Sequence, residues 1–379
     1  MAGDEILKTF ADRVRGCLRD GDWAARLGGD EFALILSNVA SAAEATGICN
    51  ELQLKMEKPF LVGAHQLNCG VSMGGAHFPS DAQAVDELQI YADLALYKAK
   101  DEGRGRYAPF EPQLARAYRL RTAIGHALKR DLALGEINMH FQPILSSDQK
   151  EPPGCEALLR WEHAGFGPVS PLDTLVAAEE HGFLGELTRQ IIANSLRAVA
   201  RPLRRGQIGW VSINLAERDI VDENLPDFVL DTIIEVGIEP AQVRFEVTEH
   251  AVISDIEAAR GMMQQLNVHG IQFLIDDFGT GYSNLQLLHQ LPFHALKIDK
   301  SFIERITDNT EILTTVRAMV DLAHSLDLAV VAEGIETAAQ HRIASHLGCD
   351  YQQGYFVGRP KPAIEIDSEP GRFKVISGK

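Results

Sequence analysis

One pattern constrains this chain more than any other: a short apolar run that closes abruptly on a polar or charged residue, repeated seven times. The closing residues are Glu156, Asn214, Glu246, the pair Asp276 and Asp277, Lys297, Glu333 and Gln353. Several of these ends are separated by about 20 to 35 residues, enough for one helix and a return, and that rhythm predicts a barrel of alternating strands and helices. Barrels of this kind carry function at the carboxyl ends of their strands, so the polar ends are expected to converge on one mouth. The expected fold class is α/β, with a TIM-like (β/α)8 barrel as its larger part.

The sharpest of the seven ends is Phe273-Leu274-Ile275-Asp276-Asp277, followed by Gly279 and Gly281. Two adjacent carboxylates on a buried strand repel and desolvate one another, and the simplest compensation is a pair of metal ions between them. The other ends add carboxylates and amide oxygens but no His or Cys, a donor set that suits Mg2+ or Mn2+ rather than zinc. The thirteen histidines contain no His-x-x-x-His pair and read as structural or exposed. Taken singly, Glu156 or Glu246 would be a barrel-core carboxylate paired to an arginine, and Glu333 with Glu336 the acidic first turn of a helix. The formal net charge of -17 argues against a protein that coats DNA or RNA and leaves room for a small phosphorylated ligand held through metals.

The 379 residues suggest two or three domains. Five scattered cysteines without a Cys-x-x-Cys pair read as reduced thiols of a cytoplasmic protein. No apolar run is long enough to span a membrane, and no membrane contact is expected from these domains. Apolar positions at helical spacing over residues 4–19 predict an opening helix. Two strand-like runs, Trp23 to Leu27 and Phe32 to Leu36, then flank Gly28-Gly29-Asp30-Glu31, a turn whose glycines admit a hairpin and the close approach of a phosphate. Prolines near residue 110 mark a boundary, followed by an amphipathic helix through Leu114, Leu120, Ile124, Leu128 and Leu132.

Arg26-Leu27-Gly28-Gly29-Asp30-Glu31-Phe32 resembles the signature of the GGDEF family, diguanylate cyclases that condense two GTP into cyclic di-GMP. Arg19 and Asp22 stand at the spacing of that family's product-binding, inhibitory RxxD site. The resemblance implies a strand before the opening helix, bearing a second metal-binding Asp, and these residues begin after it. Asp30 is thus left without its partner carboxylate, and one carboxylate rarely holds a catalytic Mg2+. Residues 1–110 are accordingly expected to form a truncated, cyclase-inactive GGDEF domain.

Residues 121–365 resemble the EAL family of cyclic di-GMP phosphodiesterases throughout, with the naming motif at Glu156-Ala157-Leu158. By resemblance, Glu156, Asn214, Glu246, Asp276, Asp277, Glu333 and Gln353 belong to a centre of two Mg2+ or Mn2+ ions. Lys297 and Glu336 lie near the attacking water, Gln142, Arg160 and Asp299 contact substrate, and Glu249 steadies the loop after Asp277. That loop, residues 278–285, and an adjacent helix imply a homodimer. Residues 111–135 form the linker and helix into the barrel, and 366–379 a polar tail. The expected activity is hydrolysis of cyclic di-GMP to linear pGpG. The competing readings are a cyclic di-GMP receptor that does not cut, and a bifunctional cyclase and phosphodiesterase. Any sensor would lie upstream of Met1, making these residues the cytosolic part of a larger protein. GTP incubated with this chain is expected to give no cyclic di-GMP by chromatography; product would overturn the inactive reading of residues 1–110.

Overall fold

The computed structural model describes residues 2–63, 65–148, 150–279 and 285–363. The chain divides into two units, 1–123 and 124–379, each with its own core. The first opens with helix α1 (Ala2–Arg15), then the hairpin β1 (Trp23–Gly28) and β2 (Glu31–Ile35), helix α2 (Ala42–Met56) and the short strands β3 (Phe60–Val62) and β4 (His65–Leu67). Strand β5 (Met73–Gly75), helix α3 (Val85–Asp101) and strand β6 (Tyr107–Pro109) complete it. The Ser41 hydroxyl accepts from the Glu44 N–H and starts α2. Val14, Leu52, Met56 and Phe60 form a small core. Every residue of β1 is exposed, including Trp23, which is paired with the equally exposed Ile35.

Helix α4 (Pro112–Leu134) runs through the division between the units and carries Ile124, Leu128 and Leu132 into the second core. There follow β7 (Asn138–Ser146), β8 (Gly154–His163), β9 (Gly167–Val169), α5 (Pro171–Glu180), α6 (Leu184–Arg204), β10 (Trp210–Leu215), α7 (Glu217–Ile220), α8 (Leu225–Val236) and β11 (Val243–Thr248). The chain continues through α9 (Glu249–Ser254), α10 (Ile256–Asn267), β12 (Gln272–Phe278), α11 (Leu285–Gln290), β13 (Ala295–Ile298), α12 (Lys300–Ile303) and α13 (Thr310–Ser325). It ends on β14 (Ala329–Ala332), α14 (Ala338–Leu347), β15 (Tyr351–Gln353) and β16 (Lys361–Pro362). Residues 280–284 of the loop after Asp277, and the tail from 364 onward, lie outside the described residues.

Strands β7, β8, β10, β11, β12, β13, β14 and β15 pair in a closed ring, the eight-stranded barrel expected from the sequence rhythm. One strand departs from strict alternation. β7 runs antiparallel to both of its neighbours, β8 and β15. No helix separates β7 from β8 among the described residues, and two strands joined by a short loop can only pair as a hairpin, whereas parallel neighbours need a crossover.

The two-residue period of a strand sorts side chains between two layers. Cys155, Ile213, Phe245, Phe273, Leu296 and Val330 point outward and join Leu187, Ile192 and Leu196 of α6 in the main core. Residues of the opposite parity fill the lumen: Ile144, Trp210, Leu274, Ala295 and Val331 form a separate cluster inside the ring. One step further along the same faces stand Glu156, Glu246, Asp276, Lys297, Glu333 and Gln353. Gly154 leaves space for the lumen, since a Cβ there would lie 2.2 Å from the Trp210 ring. Replacing Gly154 with Ala is expected to cost about 1–3 kcal/mol through overpacking, read as a lower urea midpoint; unchanged stability would contradict the close seating of the indole.

Candidate metal centre

At the carboxyl end of the barrel a single ammonium is enclosed by acids. The Lys297 Nζ lies 2.5 Å from Glu246 Oε2, 2.6 Å from Glu333 Oε1, 3.3 Å from Asp276 Oδ1 and 3.8 Å from Glu156 Oε2. Four strands thus aim one carboxylate each at the lysine of a fifth. Lys297 is only 1% exposed and Glu246 is fully buried, so neither is relieved by bulk water. Glu156 is fixed from two further sides: the Asn214 amide donates to its Oε1 at 2.7 Å and the Gln353 amide to its Oε2 at 2.6 Å. The Gln353 amide also donates to Gln142 Oε1 at 3.2 Å, and Gln142 donates to the Gly358 carbonyl. Register supports this convergence, with Gln142 opposite Glu156, and Asn214 beside Glu246.

One positive charge does not balance four negative ones, and the acid–base behaviour shows it. Burial, with the nearby charge of Glu156, raises the Glu246 carboxyl well above its ordinary range despite Lys297. Burial pushes Glu333 up to about 8, again against the pull of Lys297. Burial alone would lower Lys297, but Asp276, Glu156, Glu246 and Glu333 outweigh it and hold the ammonium well above its ordinary value. Asp277, with positive φ of 53° at the strand end, is raised by burial and by the charges of Asp276 and Asp299. Lys297 is therefore a charge-compensating donor in this arrangement and holds no free lone pair to take a proton.

This donor set fits divalent cations. Oxygens of Asp276, Asp277 and Glu333 lie within 4.8 Å of one another. Glu246 Oε1 and Gln353 Oε1 are buried without a hydrogen-bond partner, a costly condition for oxygens unless a cation satisfies them. All the ligands are hard oxygens, as Mg2+ or Mn2+ requires.

The sequence also singled out Arg160, Asp299, Glu249 and Glu336. Arg160 lies on β8 with its guanidinium donating to the Leu159 carbonyl at 2.7 Å. Asp299 follows β13 and caps α12, accepting from the Ser301 N–H. Glu249 is buried as the first residue of α9. Glu336 is exposed, and its backbone N–H donates to Gln340 Oε1 in the turn before α14. In the first unit Gly28 ends β1, Gly29 takes a positive φ of 50°, Asp30 and Glu31 are exposed, and Phe32 packs on Phe10. The Arg19 guanidinium is paired with Glu44 at 2.9 Å. Asp22 accepts from the Arg19 and Ser37 backbone N–H groups, which lower its pKa. A ligand at Arg19 would have to displace Glu44.

Sequence reasoning missed Tyr355 and Arg359, which stack on the loop after Gln353 with the guanidinium carbon 4.2 Å from the ring centroid. They lie in a loop after the last barrel strand, where neither the helical nor the strand period applies, so pattern reading passes over them.

The fold is a closed TIM-type barrel whose rim gathers carboxylate and amide oxygens from most of its strands, a donor set that suits divalent cations. The chain belongs to the EAL domain family, whose model matches residues 126–360, and residues 1–106 match the diguanylate cyclase GGDEF domain. It is 35% identical over 365 residues to the bifunctional diguanylate cyclase/cyclic di-GMP phosphodiesterase MucR of Pseudomonas aeruginosa, covering 96% of this chain and 53% of that protein. It is 32% identical over 371 residues to the cyclic di-GMP phosphodiesterase NbdA of the same organism, covering 97% and 47%. The chain thus spans about half the length of these curated relatives. Among solved structures, the PaMucR phosphodiesterase in complex with c-di-GMP superposes with a TM-score of 0.61 at 34% identity, covering 64% of this chain and 99% of that one. The cAMP- and cyclic-di-GMP-bound EAL enzyme Bd1971 gives 0.63 at 27% identity, covering 76% and 77%. No helix among the described residues is long and apolar enough to cross a membrane.

Removing the hub charge by Lys297→Met is expected to cost about 3–5 kcal/mol without divalent ions, because buried acids lose their counter-charge. Saturating Mg2+ or Mn2+ should stabilise the wild type, by about 2.7 kcal/mol at a hundredfold excess over Kd, read as a higher thermal midpoint. Glu246→Gln should shrink that gain. A midpoint indifferent to both ions in the wild type would contradict the cation fit.

Proposed function

We propose that this chain is a cyclic di-GMP phosphodiesterase that hydrolyses its substrate to linear pGpG, using two Mg2+ or Mn2+ ions held at the barrel rim. The observation that carries the reading is the enclosure of Lys297 by Glu156, Glu246, Asp276 and Glu333, with buried oxygens left unsatisfied around it. A receptor needs only to recognise a ligand, whereas this concentration of buried like charge is costly and is repaid in chemistry at a phosphodiester. The names of the MucR and NbdA relatives, and the c-di-GMP in the MucR complex, support the same substrate.

In this reading Glu156, Asn214, Glu246, Asp276, Asp277, Glu333 and Gln353 hold the cations. When bound, these supply neutralisation of phosphoryl oxygens and a water made nucleophilic near neutral pH. The protein's own groups then position and compensate. Lys297 stays protonated, donating to the reacting water or phosphoryl oxygen from the lumen side. Asn214 and Gln353 stop the Glu156 carboxylate from rotating. Gln142 stands behind Gln353, and Arg160 can offer a forked, bidentate donor to a phosphate once it leaves the Leu159 carbonyl. Glu336 serves the attacking water, Asp299 contacts substrate, and Glu249 steadies the loop after Asp277. Arg19 with Asp22 is a candidate cyclic di-GMP site. A homodimer through the EAL domain and a cytoplasmic setting belong to the same reading.

Purified protein with cyclic di-GMP and Mg2+ or Mn2+ should yield pGpG by chromatography. Glu156→Ala should lower turnover by at least ~100-fold with its circular dichroism intact, since it removes a ligand that two amides hold in place. Ca2+ as sole divalent ion should support binding but little turnover, because its looser coordination misplaces the water. Binding without hydrolysis in Mg2+ or Mn2+ would replace the enzyme with a receptor.

A further inference from the structure

The loop that follows Gln353 is tied to the rim at several points. The Gln353 carbonyl accepts from the Ile335 N–H at 2.9 Å, and the Phe356 N–H donates to the Ile335 carbonyl at 2.9 Å. Gly358 accepts from the Gln142 amide, and a Cβ at Gly358 would strike Pro143 of β7. Gly354 is wedged against the Ile335 backbone, where a Cβ would lie 2.2 Å from the carbonyl oxygen. The loop is thus a fixed extension of the acid cluster.

On this fixed loop Tyr355 is 46% exposed, and the Arg359 guanidinium lies over its ring at 4.2 Å. Arg359 is itself exposed and has no carboxylate partner among the described residues, in a chain with 53 acidic side chains. Its companion is the aromatic face, and the guanidinium orients the ring and draws electron density from it. A flat, pre-oriented aromatic backed by a cation, two residues from a cation ligand, is the construction that accepts an electron-rich nucleobase by stacking.

We propose that Tyr355, backed by Arg359, is the platform on which one purine base of the cyclic dinucleotide stacks while its phosphodiester lies at the acid cluster. The proposal rests on the phosphodiesterase reading and assigns the base-binding element of that site. Stacking is worth most to an aromatic face and little to an aliphatic chain of equal bulk, so the platform is tested by shape against aromaticity.

The experiment is calorimetric titration of cyclic di-GMP into the 379-residue chain with Ca2+, comparing wild type, Tyr355→Phe, Tyr355→Leu and Arg359→Ala. Thermal unfolding of each protein checks the fold. Tyr355→Phe should bind within about threefold of wild type, Tyr355→Leu should bind roughly tenfold to a hundredfold more weakly, and Arg359→Ala about twofold to fivefold more weakly. In turnover with Mg2+, the Tyr355→Leu loss should fall mainly on KM. Leu binding as tightly as Phe would overturn the platform while leaving the phosphodiesterase reading in place. A wild type that neither binds nor cleaves the dinucleotide would overturn both.

Discussion

Everything at the rim depends on one buried ammonium. Lys297 is placed by β13, a strand of four residues between two helices, and its side chain is almost entirely enclosed. Without it, Glu246 and Glu333 would face Asp276 and Glu156 across a low-dielectric space with nothing to offset their repulsion. With it, the arrangement is still short of positive charge. That residue of imbalance makes the site receptive to divalent cations and keeps the lysine protonated, so the same electrostatics that permit folding set the chemistry available.

The barrel makes such a site possible by separating two tasks that each strand performs at once. Outward residues such as Phe245 and Phe273 pack under the helices, supplying the hydrophobic area that holds the ring closed. Inward residues are free to be polar at one end because the lumen below them is filled by Trp210, Leu274 and Val331. The lumen also contains a second, half-buried cation. The Arg244 guanidinium lies 3.8 Å over Trp210, and burial lowers its pKa. This residue stands two positions before Glu246 on the same face of β11 and closes the layer beneath the carboxylates.

The first unit is organised differently. Its sheets are pairs of strands, β1 presents no buried residue, and the signature turn of Asp30 and Glu31 is exposed. Arg19 and Asp22, legible in sequence as a spaced pair, are engaged within the unit: one is bridged to Glu44, the other ties the turn to Ser37. The charges visible in the sequence are thus present, but their partners are local ones that spacing alone does not disclose.

Sequence alone determined the kind of barrel and the identities of its rim residues, because a strand end is written locally as an apolar run meeting a polar stop. It determined the hard-oxygen donor set for the same reason. Only the tertiary structure decided that β7 would run against its neighbours, since strand direction depends on what joins the strands. It also decided that Lys297 would sit among four acids from four other strands, that Asn214 and Gln353 would clamp Glu156, and that Tyr355 would lie under Arg359. Those are contacts between residues far apart in the chain or set by loop geometry, and no local period encodes them; closing the ring fixes them.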